Sequence, residues 1–152
     1  MKKLIVLLGP TGVGKTALSI ELAQRYGCPI ISSDSRQIYK GIEIGTAAPT
    51  QEEQSLVKHY FVGIKELTED YSAGQYEIDA LNLINEHFKT HDTLLLTGGS
   101  MMYIDAVCNG IDDIPTVSAE ARAEAQKIYE EQGLEGLTAK LKELDPVWYE
   151  KV

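Results

Sequence analysis

The segment Gly9-Pro10-Thr11-Gly12-Val13-Gly14-Lys15-Thr16 constrains this chain more than any other, because it fits GxxxxGK[ST] and lies between the two elements that pattern needs. Before it runs Leu4-Ile5-Val6-Leu7-Leu8, a continuous apolar stretch; after it the pattern turns helical. A glycine-rich turn from strand to helix aims backbone N–H groups and the positive end of the helix at one point, where phosphate oxygens collect. Lys15 adds a mobile positive charge for an outer phosphate, and Thr16 carries the hydroxyl that completes a Mg²⁺ shell bridging phosphate oxygens. Glycine at 9, 12 and 14 permits positive φ and close approach to the oxygens. The competing reading is an ordinary glycine-rich turn.

Residues 2–8 read as a parallel strand covered on both faces. Thr16 to Tyr26 follows as a helix with Leu18, Leu22 and Tyr26 on one face and Gly27 as its stop, and residues 29–33 as a second strand ending at Asp34. Strand, helix, strand implies a right-handed crossover. Residues 36–49 lose any period and carry Gly41, Gly45 and Pro49, the pattern of a structured loop; Thr50 caps a short helix, and Tyr60 to Ile64 reads as strand three. Ser72 to Gln75 has capping-box spacing ahead of the stripe Tyr76, Ala80, Leu81, Ile84, Phe88. Residues 93–97 form strand four, broken by Gly98-Gly99-Ser100 before another helix. Beyond Asn109-Gly110 the chain becomes helical and acidic, with a helix pair split at Gly133 and a third helix opened by Asp145-Pro146. The expected fold is α/β: a P-loop-type open parallel sheet flanked by helices over residues 1–111, then the start of a helical insertion domain over 112–152. That last helix has barely begun at Val152, the pattern of a fragment. Sheet order 2-3-1-4 is expected by fold analogy.

At 152 residues, 43% of them apolar, the chain has the material for one substantial core. Its net charge of −9 is uneven: residues 1–50 carry +3 and residues 51–152 carry −12. A polynucleotide partner normally leaves a basic footprint, which this segment lacks. Cys28 and Cys108 stand eighty positions apart with no CxxC, so they read as buried small hydrophobes rather than a zinc site or disulfide framework. Five apolar residues before Gly9-Pro10 are too few for a signal peptide core, and no later run spans a membrane, so a cytoplasmic protein is expected.

Ligands of open α/β sheets bind beyond the carboxyl ends of the strands, where three segments meet: Gly9 to Thr16, Asp34 to Gln37, and Thr97 to Ser100. Asp34 is placed to accept a proton there or to reach a metal through water; the alternative is a turn-capping Asp. Ser100 is placed to give its hydroxyl and N–H to a phosphate oxygen, or to serve as a plain N-cap. Strand four ends in Thr97-Gly98-Gly99 rather than the Asp that holds magnesium in hydrolases, which favours group transfer over hydrolysis. His59, His87 and His91 read as ordinary surface or core residues.

Taken together, Gly9 to Thr16, Asp34-Ser35-Arg36-Gln37-Ile38-Tyr39, Ile44-Gly45-Thr46-Ala47 with Pro49, and Gly98-Gly99-Ser100 with Tyr103 resemble the tRNA dimethylallyltransferase family, also called tRNA isopentenylpyrophosphate transferases. Arg122 and Leu144-Asp145-Pro146 extend the likeness over the whole chain, and the DSxQxY stretch is its most specific part. The resemblance implies that the loop holds the diphosphate of dimethylallyl diphosphate. The acceptor it implies is N6 of an adenine beside the anticodon of tRNA, flipped out of its stack. Asp34 then takes the amine proton; Lys15, the loop amides, Ser100 and Mg²⁺ on Thr16 stabilise the leaving diphosphate. Ser35, Arg36 and Gln37 place the adenine, and Arg122 touches the RNA. Two departures stand out: Ala48 replaces the usual Lys, and Ser100 the commoner Thr. Family members run to about twice this length on the domain-count prior, and a monomer is expected at full length. A small-molecule or nucleoside kinase, an adenylate isopentenyltransferase and a non-catalytic nucleotide-binding module remain the competing readings.

Overall fold

The computed structural model describes residues 1–10, 12–111 and 117–152. Two compact units divide the chain, Met1–Asp112 and Asp113–Val152. The expected domain boundary between 111 and 112 adjoins residues 112–116, which lie outside the described residues, as does Thr11 of the glycine-rich loop.

The first unit is a four-stranded parallel sheet, β1 (Lys3–Leu8), β2 (Ile30–Ser32), β3 (His59–Tyr60) and β4 (Thr93–Gly98), with flanking helices. Its order is β1-β4-β2-β3, which corrects the order expected by analogy. The interior strands are β4 and β2, and Leu94-Leu95-Leu96 of β4 and Ile30-Ile31 of β2 are essentially fully buried. By contrast β1 is an edge strand and only half-buried. An apolar run announces a strand, but its place in the sheet depends on which neighbours reach it.

Helix α1 (Lys15–Tyr26) ends at Gly27, whose φ of 60° closes it with backbone bonds to Ala23 and Gln24. Its buried face is Ser19, Ile20 and Ala23, not the expected Leu18 and Tyr26, which are exposed. Small side chains at 19 and 23 let the helix lie close on the sheet, and that outweighs the pull of larger apolar groups at its margin. Helix α2 (Gln51–Leu56) opens with a full capping box: Thr50 Oγ1 accepts from Glu53 N at 3.2 Å, and Glu53 Oε2 accepts from Thr50 N at 2.7 Å. The third strand is displaced toward the N-terminus and shortened, because Phe61 takes φ 62° and leaves the pleat. That turn sends the Phe61 ring into the core, edge-on to Tyr76 with centroids 5.1 Å apart.

Helix α3 (Ala73–His87) buries Tyr76, Ala80 and Ile84 as its period requires. Its cap is half a box: Ser72 accepts from Gln75 N, while the Gln75 amide turns to Asp79. Tyr76 is fully buried, stacks on Tyr103 with centroids 4.3 Å apart, and donates its hydroxyl proton to the Ser32 carbonyl at 2.8 Å. Burial pushes its phenol far above the ordinary range, so it is a donor at any working pH. Tyr76→Phe keeps the ring and deletes that bond, and a loss of about 1–2 kcal/mol is expected, read from the urea midpoint at constant m-value.

Helix α4 (Met101–Asn109) closes the first unit; Cys28 is buried, but Cys108 at the end of α4 is exposed, against expectation. The second unit holds α5 (Ala119–Leu144), broken at Gly133 (φ 66°, ψ −158°), and α6 (Pro146–Tyr149), whose first turn is capped by Asp145. Among the described residues no helix is long and apolar enough to cross a membrane.

Candidate active site

Beyond the carboxyl ends of β1, β2 and β4 lies a cavity of about 320 Å³. Gly12, Gly14, Lys15 and Thr16 line it from the glycine-rich loop; Asp34 and Gln37 from the outlet of β2; Thr97, Gly98 and Gly99 from the end of β4. Thr46, Ala47 and Pro49 cover it from the long loop, and Ser19, Ile30, Ser32 and His59 complete its wall. The sequence-expected Lys15, Thr16, Asp34, Gln37, Gly12 and Gly14 therefore share one space. Gly9, Pro10, Val13, Ser35, Arg36 and Ser100 stand outside its lining, and Arg122 is an exposed residue of α5 in the second unit.

Two glycines of the loop use the conformational freedom that glycine gives. Gly12 (φ 86°) and Gly14 (φ 89°) are left-handed, and Gly14 is the N-cap of α1 with no side chain over the helix end. The first N–H groups of α1 thus start beside the cavity. The Lys15 ammonium folds back onto the carbonyls of Gly9 and Pro10, 2.7 Å from each. Those are neutral acceptors, weaker for an ammonium than a phosphate oxygen.

The two carboxylate oxygens of Asp34 have different surroundings. Oδ1 accepts from the N–H of Arg36 at 3.0 Å and of Gln37 at 3.2 Å, the turn-capping pattern. Among the described residues Oδ2 makes no hydrogen bond; it lies over Gly99, where an added Cβ would stand 3.5 Å from it. The turn-capping reading is met by Oδ1 alone, which leaves Oδ2 uncommitted among the described residues.

Two side chains have structural roles that the sequence did not reveal. Gln37 donates its amide to the carbonyls of Thr46 (3.1 Å) and Ala47 (3.2 Å), holding the long loop over the cavity and Ala47 at φ 50°. Ser100 makes no side-chain cap; its Oγ accepts from Ser35 N at 2.8 Å and donates to Ser35 Oγ at 3.0 Å, while Ser100 N donates to the Ser33 carbonyl. The α4 start is thereby stitched to the β2 outlet that carries Asp34. His59, read as an ordinary residue, is a cavity-wall residue. No local signal marks it, because its place depends on the pairing of Ile30 with His59 across β2 and β3.

The IPP transferase family profile matches residues 37–152. This chain belongs to the IPP transferase family. Within it, the chain is 59% identical over its whole length to tRNA dimethylallyltransferase 2 of Parabacteroides distasonis and 56% identical over 99% of its length to tRNA dimethylallyltransferase 1 of Bacteroides fragilis. It covers 51% and 50% of those proteins, so it spans about half the length of these IPP transferase relatives. The crystal structure of full-length tRNA isopentenylpyrophosphate transferase from Bacillus halodurans is 34% identical with a TM-score of 0.70; the chain is covered entirely and 50% of that protein is matched. A eukaryotic dimethylallyltransferase seen acting on tRNA matches all of this chain and 38% of its own, at 28% identity and a TM-score of 0.80. The parallel sheet and its helices are thus the fold of IPP transferases, and the cavity lies in a part of the chain that these likenesses cover.

Proposed function

We propose that the protein transfers a dimethylallyl group from dimethylallyl diphosphate to N6 of an adenine beside the anticodon of tRNA, with release of diphosphate. The observation that carries this is the placement of the Asp34 carboxylate and the Lys15 loop around one cavity. Relatives at 45–59% identity named tRNA dimethylallyltransferase support it, and the matched profile supports prenyl transfer over kinase or hydrolase chemistry.

The diphosphate lies against the α1 N-terminus and the loop amides, where N–H groups and the helix dipole favour negative charge. Lys15 exchanges the Gly9 and Pro10 carbonyls for a phosphate oxygen. The adenine nitrogen attacks the allylic carbon; its lone pair forms the new C–N bond as the C–O bond breaks and that electron pair leaves on diphosphate. Asp34 Oδ2 receives the amine hydrogen, first as a hydrogen bond and then as a proton. Gln37 holds the covering loop, which limits water in the cavity.

The donor set fits Mg²⁺. Thr16 offers one hydroxyl at the cavity wall, and among the described residues no group of three or more His, Cys, Asp or Glu forms a protein cage. Mg²⁺ is commonly held this sparsely, by one or two protein ligands with substrate phosphates and water. When bound it supplies charge neutralisation on the leaving diphosphate.

Labelled dimethylallyl diphosphate with unmodified tRNA is expected to place the label on adenine. Label carried equally well to free AMP would replace this reading with an adenylate isopentenyltransferase, and phosphate transferred from ATP would replace it with a kinase.

A further inference from the structure

His59 is 7% exposed, and its two ring nitrogens have different fates. Nδ1 is 2.9 Å from the Val57 carbonyl, which can only accept, so Nδ1 carries a proton. In the neutral ring Nε2 is then a bare acceptor. That atom is buried and has no hydrogen-bond partner among the described residues. An unpaired buried acceptor is a defect unless something outside the chain completes it.

The active-site cavity is the candidate for that outside, because His59 is one of its lining residues. His59 lines it beside Ser19 and Ile30, and the register sets His59 opposite Ile30, two positions farther from the carboxyl edge than Ser32. Side chains of paired residues in a parallel ladder share a face, so His59, Ile30 and Ser32 look the same way. Burial holds the imidazolium form down, while the Val57 carbonyl and Glu53 act in the other direction.

We propose that His59 is a ligand-binding residue of this cavity, with Nε2 accepting a hydrogen bond from an N–H or O–H donor that enters with, or is retained beside, the bound substrate. Dimethylallyl diphosphate has no such donor in its ionised form. The donor comes either from an ordered water held against the prenyl diphosphate or from the amino group of the nucleobase. The inference rests on the proposed substrates only for the choice of probes; the incomplete acceptor and the cavity stand without them.

The test uses ¹⁵N-histidine-labelled protein and two-bond ¹H–¹⁵N spectra, which separate a protonated, a free and a hydrogen-bonded ring nitrogen. Spectra are compared without ligand, with inorganic pyrophosphate, with dimethylallyl diphosphate, and with AMP or unmodified tRNA added. The expected result is Nδ1–H in every state, with the Nε2 signal moving to the hydrogen-bonded position in at least one. A move with dimethylallyl diphosphate alone, at a pH where its diphosphate is fully ionised, assigns the donor to water; a move only with AMP or tRNA assigns it to the nucleotide. A free Nε2 with every probe, or the proton on Nε2, overturns the proposal. In the transfer assay, His59→Phe is expected to raise the KM of one substrate about tenfold, with His59→Gln recovering most of it by restoring an acceptor. An unchanged KM in a folded His59→Phe also overturns it. If the prenyl-transfer reading fails, no label reaches tRNA, yet the spectra with pyrophosphate and AMP still decide the fate of His59.

Discussion

Asp34→Asn is expected to leave the folded chain nearly as stable as the parent and to lower the rate of prenyl transfer by about 10²–10⁴-fold, the range of a lost general base. The substitution separates the observed turn cap from the proposed proton acceptor. An Asn Oδ1 can still accept from the N–H groups of Arg36 and Gln37, so the turn after β2 keeps its cap. At the other position an NH₂ replaces the carboxylate oxygen over Gly99, and an amide can neither attract nor take the amine proton. Asp34→Ala is the contrasting variant: it removes the cap as well, with a further stability loss of about 1 kcal/mol, near the value of comparable caps. Single-turnover transfer and urea unfolding of both variants check this. Near-parental turnover in Asp34→Asn would remove the carboxylate from the chemistry and leave it a turn cap.

Gly98→Ala is expected to be the most damaging single methyl in the first unit. An added Cβ would sit 2.3 Å from the Ser33 carbonyl oxygen and 2.4 Å from Ser33 Oγ, so the backbone itself must move. Two bonds hold that backbone: Ser33 N donates to the Thr97 carbonyl at 2.7 Å, and Ser100 N donates to the Ser33 carbonyl at 3.1 Å. Neighbouring side chains cannot relax to absorb the strain, and a cost of about 3 kcal/mol or more is expected, at the top of the overpacking range. Asp34 is the next residue, so a shift of about 1 Å would also lower transfer by about a hundredfold in whatever protein still folds. Gly99→Ala is the control, since its Cβ meets only Asp34 Oδ2 at an ordinary 3.5 Å. Thermal unfolding of the pair is the measurement; a Gly98→Ala chain as stable as Gly99→Ala would show that the close approach of β2 and β4 does not matter.

These two experiments meet at one strand outlet. The β2–β4 crossing at Gly98, the Ser35–Ser100 hydroxyl pair and the Gln37 amide fix the same short stretch from three sides. Ser100 and Gln37, expected at the substrate, are engaged with the protein's own backbone and hydroxyl groups. Their contribution to the geometry shown is to hold Asp34 and the covering loop in place.

Much of this was legible in the chain because the information is local. Strand, glycine turn and helix follow one another over residues 3–26, and the turn's need for positive φ selects Gly12 and Gly14 directly. The caps at Thr50 and Ser72, the stripe of α3 and the break at Gly133 are readable for the same reason: each depends on neighbours three or four positions away. What could not be read depends on contacts between residues distant in sequence. The central place of β4, the end of β3 at Phe61, the exposure of Leu18 and the seat of His59 are settled by which strands pair and which face a helix presents. Chain periodicity does not encode those choices, because an apolar run pairs equally well at an edge or a centre. The sequence by itself determined where the glycine-rich turn and the Asp34 strand end fall along the chain. Only the tertiary structure decided which oxygen of the Asp34 carboxylate caps the turn, and that His59, with a buried nitrogen unpaired among the described residues, lines the same cavity, since burial and hydrogen-bond completion belong to the packed molecule.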